Sequence, residues 1–153
     1  MTSVDGQDAK ALDDVETYGC HILSITDNTG GPDFCYSIGI NKTADQPDVL
    51  IFGLNPDVAQ FAINQYNDRV RQGEVFNTKL PYHGFLDACP VYFVAVPQIH
   101  FAKYLGWGRW FYGGDDFRVM QMIYPDKITG GWPWSERPNA DYLWYQPVFG
   151  LND

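Results

Sequence analysis

The chain has 153 residues, 45% of them hydrophobic and 16% aromatic, which excludes a disordered polymer and suits one domain with a proper core. Ten lysines and arginines against nineteen aspartates and glutamates leave a net charge of −9, a field that repels nucleic-acid phosphates and anionic membrane surfaces. No nucleic acid and no membrane is expected as partner; the charge leaves open a small-molecule ligand, a cation or a basic protein.

Met1 to Lys10 is polar and acidic, without the basic and then apolar pattern of a secretory leader, and no run approaches the roughly 18 apolar residues of a membrane span. A cytoplasmic protein is expected. Cys20, Cys35 and Cys89 are odd in number and form no C-x-x-C pair, so they read as reduced, buried small hydrophobes.

Residues 1–17 read as a loose N-terminal arm ending in a short helix, because Leu12, Val15 and Tyr18 give one weak apolar stripe; residues 18–153 read as a single globular domain. Cys20 to Thr26 alternates, with His21, Leu23 and Ile25 on one face of a strand. Phe34 to Ile40 does the same with Phe34, Tyr36, Ile38 and Ile40. The turn-rich DNTGGPD between them predicts an antiparallel hairpin with a longer loop. Asp48 to Leu54 is almost continuously apolar, the pattern of a central strand covered on both faces.

Asn55 is a good helix cap, Pro56 suits the first helical position, and Gly73 can end the helix. With Val58, Phe61, Ala62, Tyr66 and Val70 at helical spacing, they predict a helix over about 56–71. A polar, irregular connection leads to a second buried strand, Val91 to Val96, stopped by Pro97. Ile99 to Gly114 has weak helical character, since Gly106 and Gly108 each cost about 1 kcal/mol relative to alanine in a helix. Phe117 to Tyr124 reads as a strand closed by Pro125, and Gly130 to Pro138 as extended or turned. The aromatic segment from Trp132 to Phe149 is too apolar for water. It is expected to fold back over the sheet near Tyr36, with Pro133, Pro138 and Pro147 preventing a helix of its own. The fold class is α+β, a single domain with a mixed or mainly antiparallel sheet, one clear helix and one or two weaker ones.

YGCHILSI, YSIGI, DVLIFGL, QMIYPDKITGGWPW and QPVF follow one another at separations that resemble the bacterial domain-of-unknown-function 4262 family. The resemblance covers about Tyr18 to Phe149. Its glycine-X-histidine motif falls on Gly19, Cys20 and His21, and its tyrosine-hydroxyl-X-glycine motif on Tyr36, Ser37 and Gly39. A longer run falls on Gln121, Tyr124, Pro125, Asp126, Gly130, Pro133 and Trp134, and a terminal glutamine on Gln146. Tyr124 stands where the family usually has tryptophan, and the turn Ile128 to Gly131 is slightly longer than usual.

Two functional readings follow. Gln121 and Gln146 offer paired donors and acceptors, and Tyr36, Trp132 and Trp134 flat faces; with Ser37 they could line a pocket for a planar or amide-bearing ligand. The expected function is thus a non-catalytic binding module for such a ligand or for a basic protein. The alternative is a small enzyme in which His21 is the acid or base, Asp126 orients it, and Tyr36 with Ser37 forms a hydrogen-bonding platform for hydrolysis or proton transfer. Each residue also has a plain structural role open to it: His21 satisfying buried backbone groups, Asp126 bonding its own turn. His21, His83 and His100 lie far apart, so no metal is expected. No GxGxxG, GxxxxGK[ST] or GxSxG pattern is present, and no cofactor is expected.

Overall fold

The computed structural model describes residues 6–26 and 30–149. Met1 to Asp5, the first three residues of the DNTGGPD loop, and residues 150–153 lie outside the described residues. Strands β1 (His21–Ile25) and β2 (Phe34–Ile38) form the expected antiparallel hairpin, registered from His21 opposite Ile38 to Ile25 opposite Phe34. β3 (Asp48–Phe52) lies antiparallel to β2 and parallel to β6 (Val119–Ile123), with Asp48 opposite Val119. β5 (Cys89–Ala95) continues antiparallel on β6, and β4 (Tyr82–Leu86) closes the sheet, giving the order β1-β2-β3-β6-β5-β4. The sheet is mixed and mainly antiparallel, as expected.

All five residues of β3 are buried, which is why its sequence runs apolar without alternation. One face of the sheet carries helix α3 (Pro56–Arg71), whose Ala62, Ile63 and Tyr66 pack with Val49, Ile51 and Phe93. The other face gathers Leu23, Tyr36, Leu50 and Phe52 under helices α1 (Gly6–Tyr18), α4 (Phe101–Tyr104) and α5 (Gly106–Tyr112). Asn55 caps α3 by accepting from the Asp57 amide at 2.9 Å, and Pro56 opens it, so the predicted limits hold.

Several expectations change. The described part of the expected N-terminal arm is the 13-residue helix α1, which buries Ala11 and Val15 against the sheet. β2 stops at Ile38 because Gly39, at φ +103°, turns the chain into the short helix α2 (Ile40–Thr43). Ile40 therefore joins the α3 side of the core and leaves the face shared by Phe34, Tyr36 and Ile38. On α3 the buried stripe runs through Ala59, Ala62, Ile63, Tyr66 and Val70, and Val58 and Phe61 point outward at 44% and 54% exposure. The connection before β5 contains β4. Pro138 and Pro147 bound the helix α6 (Ala140–Tyr145) instead of forbidding one, and Asn139 caps it through the Asp141 and Tyr142 amides.

The C-terminal segment does fold back. Trp134, however, packs edge-on against Tyr92 of β5, away from Tyr36, and it is Phe149 that reaches the Tyr36 side of the core, against Phe52 and Tyr104. No helix among the described residues is long and apolar enough to cross a membrane.

A side chain at Gly39 would place its Cβ 2.8 Å from both Val15 methyls and 3.2 Å from the Gly19 carbonyl oxygen, in a backbone conformation L-residues avoid. Gly39→Val is expected to lower the unfolding free energy by about 2–4 kcal/mol, combining crowding with left-handed strain. An unchanged urea midpoint would show that this junction yields freely.

Candidate functional site

α1 ends at Tyr18, and Gly19, at φ +92°, drops the chain directly into β1. That turn brings Asp14, one helical turn before the end of α1, over the first residue of the strand. The His21 Nδ1 lies 2.8 Å from the Asp14 Oδ2, and the Lys10 ammonium reaches the same carboxylate at 3.1 Å. Burial raises the proton affinity of Asp14, but hydrogen bonds from His21 and Lys10 outweigh it and hold the carboxyl below its ordinary range. An ionised carboxylate can only accept, so the imidazole carries a proton on Nδ1 and donates it to Asp14.

The pair is partly buried, each side chain 16% exposed, in the wall of a cleft of about 300 Å³ that Tyr18, Cys20 and Asn64 also line. Cys20 offers no nucleophile there, because burial, with a smaller contribution from the Asp48 charge, pushes its thiol up to about 12.

Asp126 is not the partner of His21. Its Oδ1 accepts from the Ile128 amide at 3.0 Å and its Oδ2 from the Thr129 hydroxyl at 3.3 Å, closing the turn that follows β6. The register explains the separation. His21 lies level with Ile38, Asp48 and Val119 at one end of the sheet, and Asp126 follows the opposite end of β6, roughly 13 Å away along the strand alone at 3.3 Å per step.

The expected planar-ligand pocket is not assembled either. The Tyr36 hydroxyl accepts from the Trp107 amide at 3.0 Å, fixing the start of α5, and burial raises its proton affinity. Ser37 donates to the Asp48 Oδ1 at 2.7 Å and accepts from the Val49 amide at 3.1 Å. Gln121 donates to the Pro147 carbonyl at 2.6 Å and accepts from the Phe149 amide at 3.0 Å. Gln146 makes two 3.0 Å bonds to the backbone of Tyr124, one through each end of its amide. These four side chains are buried and their polar atoms engaged within the protein, whereas Trp134 is 45% exposed and stacks on Trp132. They are fastenings of the fold, spread over both halves of the sheet.

Ser37 of the Tyr-Ser-X-Gly motif bonds, and Gly39 reaches through Tyr112, a carboxylate outside the motif, Asp48. Asp48 is buried and accepts from Ser37, from the Ile40 and Asn41 amides at 3.0 and 3.3 Å, and from the Tyr112 hydroxyl at 2.5 Å. Tyr112 in turn accepts from the Gly39 amide at 3.0 Å. Burial dominates these four bonds and lifts the Asp48 carboxyl to about 6. An acid opening an apolar strand was the available signal for Asp48. For Asp14 it was a carboxylate followed by a glycine stop and a strand histidine. Among the described residues, no group of three or more histidine, cysteine, aspartate or glutamate side chains could hold a metal ion.

The family model described as Domain of unknown function (DUF4262) matches residues 14–139. The chain belongs to this family. No curated protein and no solved structure matches the chain. The matched segment of this DUF4262 chain opens at Asp14 and so contains both the Asp14–His21 pair and the Asp48 knot, whereas α6 and Gln146 follow it.

Proposed function

We propose that this DUF4262 domain is a non-catalytic binding module for a small amide-bearing or planar ligand, and that the ligand enters the cleft beside Asp14 and His21. The observation that carries this reading is the 2.8 Å pairing of two partly buried, complementary groups in the wall of a cleft of about 300 Å³. Lys10 supplies a donor, Asp14 an acceptor, and Asn64 both, which is the complement an amide requires. Tyr18, half-exposed at the rim, supplies a flat face. Three free cysteines suit a reducing, cytoplasmic setting.

A second reading has one observation in its favour. A carboxylate that binds Nδ1 leaves Nε2 oriented as a general base, so the same cleft could support proton transfer, with Asp14 in the place expected for Asp126.

Native mass spectrometry of protein purified from its own host tests both. The wild type is expected to retain a small molecule that Asp14→Asn and His21→Gln, folded by circular dichroism, both lose. Equal retention by the variants would remove the site from this cleft. Conversion of the retained molecule on incubation, abolished by His21→Gln, would replace the binding reading with the catalytic one.

A further inference from the structure

We propose that the groove between α3 and the β4–β5 turn docks a basic peptide segment of a partner protein, which lays a bulky apolar side chain over Phe85 and sets lysines or arginines against Asp57 and Asp87. The site shares no residue with the His21 cleft: both draw on α3, but the groove lies beside β4 at one edge of the sheet and the cleft beside β1 at the other.

Val58 and Phe61 lie one helical turn apart and belong by composition to an apolar stripe. The core takes Ala59, Ala62 and Ile63 instead and leaves these two 44% and 54% exposed. They stand beside Leu86, over a floor made by the fully buried Phe85, around a space of about 280 Å³. That volume accommodates one or two inserted side chains. Two apolar residues on one helix face beside an apolar floor form a recognition surface, unlike exposed hydrophobics scattered singly.

The charges choose the occupant. Asp57 in the first turn of α3 and Asp87 in the β4–β5 turn flank the apolar floor, on a chain of net charge −9. The Arg69 guanidinium lies 4.5 Å from the Phe85 ring but is held by Glu74 and by the His83 carbonyl, so it does not neutralise that rim. A basic segment gains at both flanks, and an acidic one is repelled. A second copy of this chain is disfavoured for the same reason, because a two-fold pairing would bring Asp57 and Asp87 against their own counterparts.

The probe is a labelled amphipathic peptide of about twelve residues built from leucine and lysine, with its glutamate-for-lysine counterpart as control. Titrated into the full chain, the lysine peptide is expected to bind in a salt-dependent way and to shift the amide resonances of residues 57–61 and 85–87. Phe61→Ser, and separately Asp57→Asn with Asp87→Asn, should each weaken it by about tenfold. The charge-matched control Asp13→Asn with Glu16→Gln on α1 should bind like the wild type, and so should His21→Gln, which separates this site from the ligand cleft. Failure to bind at millimolar peptide, equal binding of the glutamate peptide, equal loss in the α1 control, or a concentration-dependent dimer abolished by Phe61→Ser would each overturn the proposal.

Discussion

Truncation after Ile128 is expected to abolish the cooperative melt of the whole domain, although every strand of the sheet lies before the cut. The lost segment contains Tyr142, 1% exposed, and Phe149, 8% exposed, each worth about 1.5–3 kcal/mol on full burial. It also contains partners that buried groups cannot replace. Gln121 would lose both the Pro147 carbonyl and the Phe149 amide, and the backbone amide and carbonyl of Tyr124 would lose Gln146. A buried polar group left unsatisfied costs about 1–3 kcal/mol, so several such losses added to the apolar ones reach the about 5–15 kcal/mol that a domain has in total. Gln146→Ala alone should lower stability by about 2–3 kcal/mol by stranding both Tyr124 groups. A truncated chain that kept the parent's near-ultraviolet circular dichroism and sharp transition would show that the sheet stands without this strap.

Where a residue's role is decided by its neighbours in sequence, it could be read from the chain. Asn55 and Pro56 open α3 by local chemistry, and Asp48 to Phe52 announces a strand buried on both faces. The misreadings arose where tertiary packing chose between equivalent local options. Val58 with Phe61 and Ala59 with Ile63 both fit a helical stripe, and the sheet selected the second set. Pro138 looked like a breaker, yet Asn139 behind it caps a six-residue helix. In one dimension Asp14 and Asp126 are equally plausible partners for His21, and only the register places one beside it and the other at the far end of the sheet. Gln121 and Gln146 looked like ligand contacts because a glutamine's partners are invisible in sequence; here they are backbone groups of distant segments.

Asp48→Ala is expected to destabilise the protein by about 3–5 kcal/mol, the cost of removing one member of a buried hydrogen-bonded charge network. It would strand the Ser37 hydroxyl, the Ile40 and Asn41 amides and the Tyr112 hydroxyl, and so loosen α2 and α5 together. Asp48→Asn keeps the volume and one accepting oxygen, and should cost less, about 1–3 kcal/mol. The two also separate shape from charge. Burial lifts the Asp48 carboxyl from its ordinary 3.8 to about 6, so the folded state holds this proton more tightly than the unfolded chain. Its contribution to stability is therefore full below about pH 4 and is lost as pH rises through about 6. Asp14 and Glu74, whose proton affinities are lowered, slope the opposite way, so the quantity to measure is the difference between wild type and Asp48→Asn. That advantage of the wild type should shrink between about pH 4 and 6 and then level off; a flat difference would mean that Asp48 is ionised throughout. The knot also bears on the ligand cleft. Thr43 of α2 donates to the Gly19 carbonyl at 2.8 Å, and Gly39 leaves room for Val15, so α2 holds the end of α1 that carries Asp14. In Asp48→Ala the Asp14–His21 pair should consequently part even in molecules that remain folded, which a changed His21 imidazole resonance would reveal, and ligand retention should fall with it.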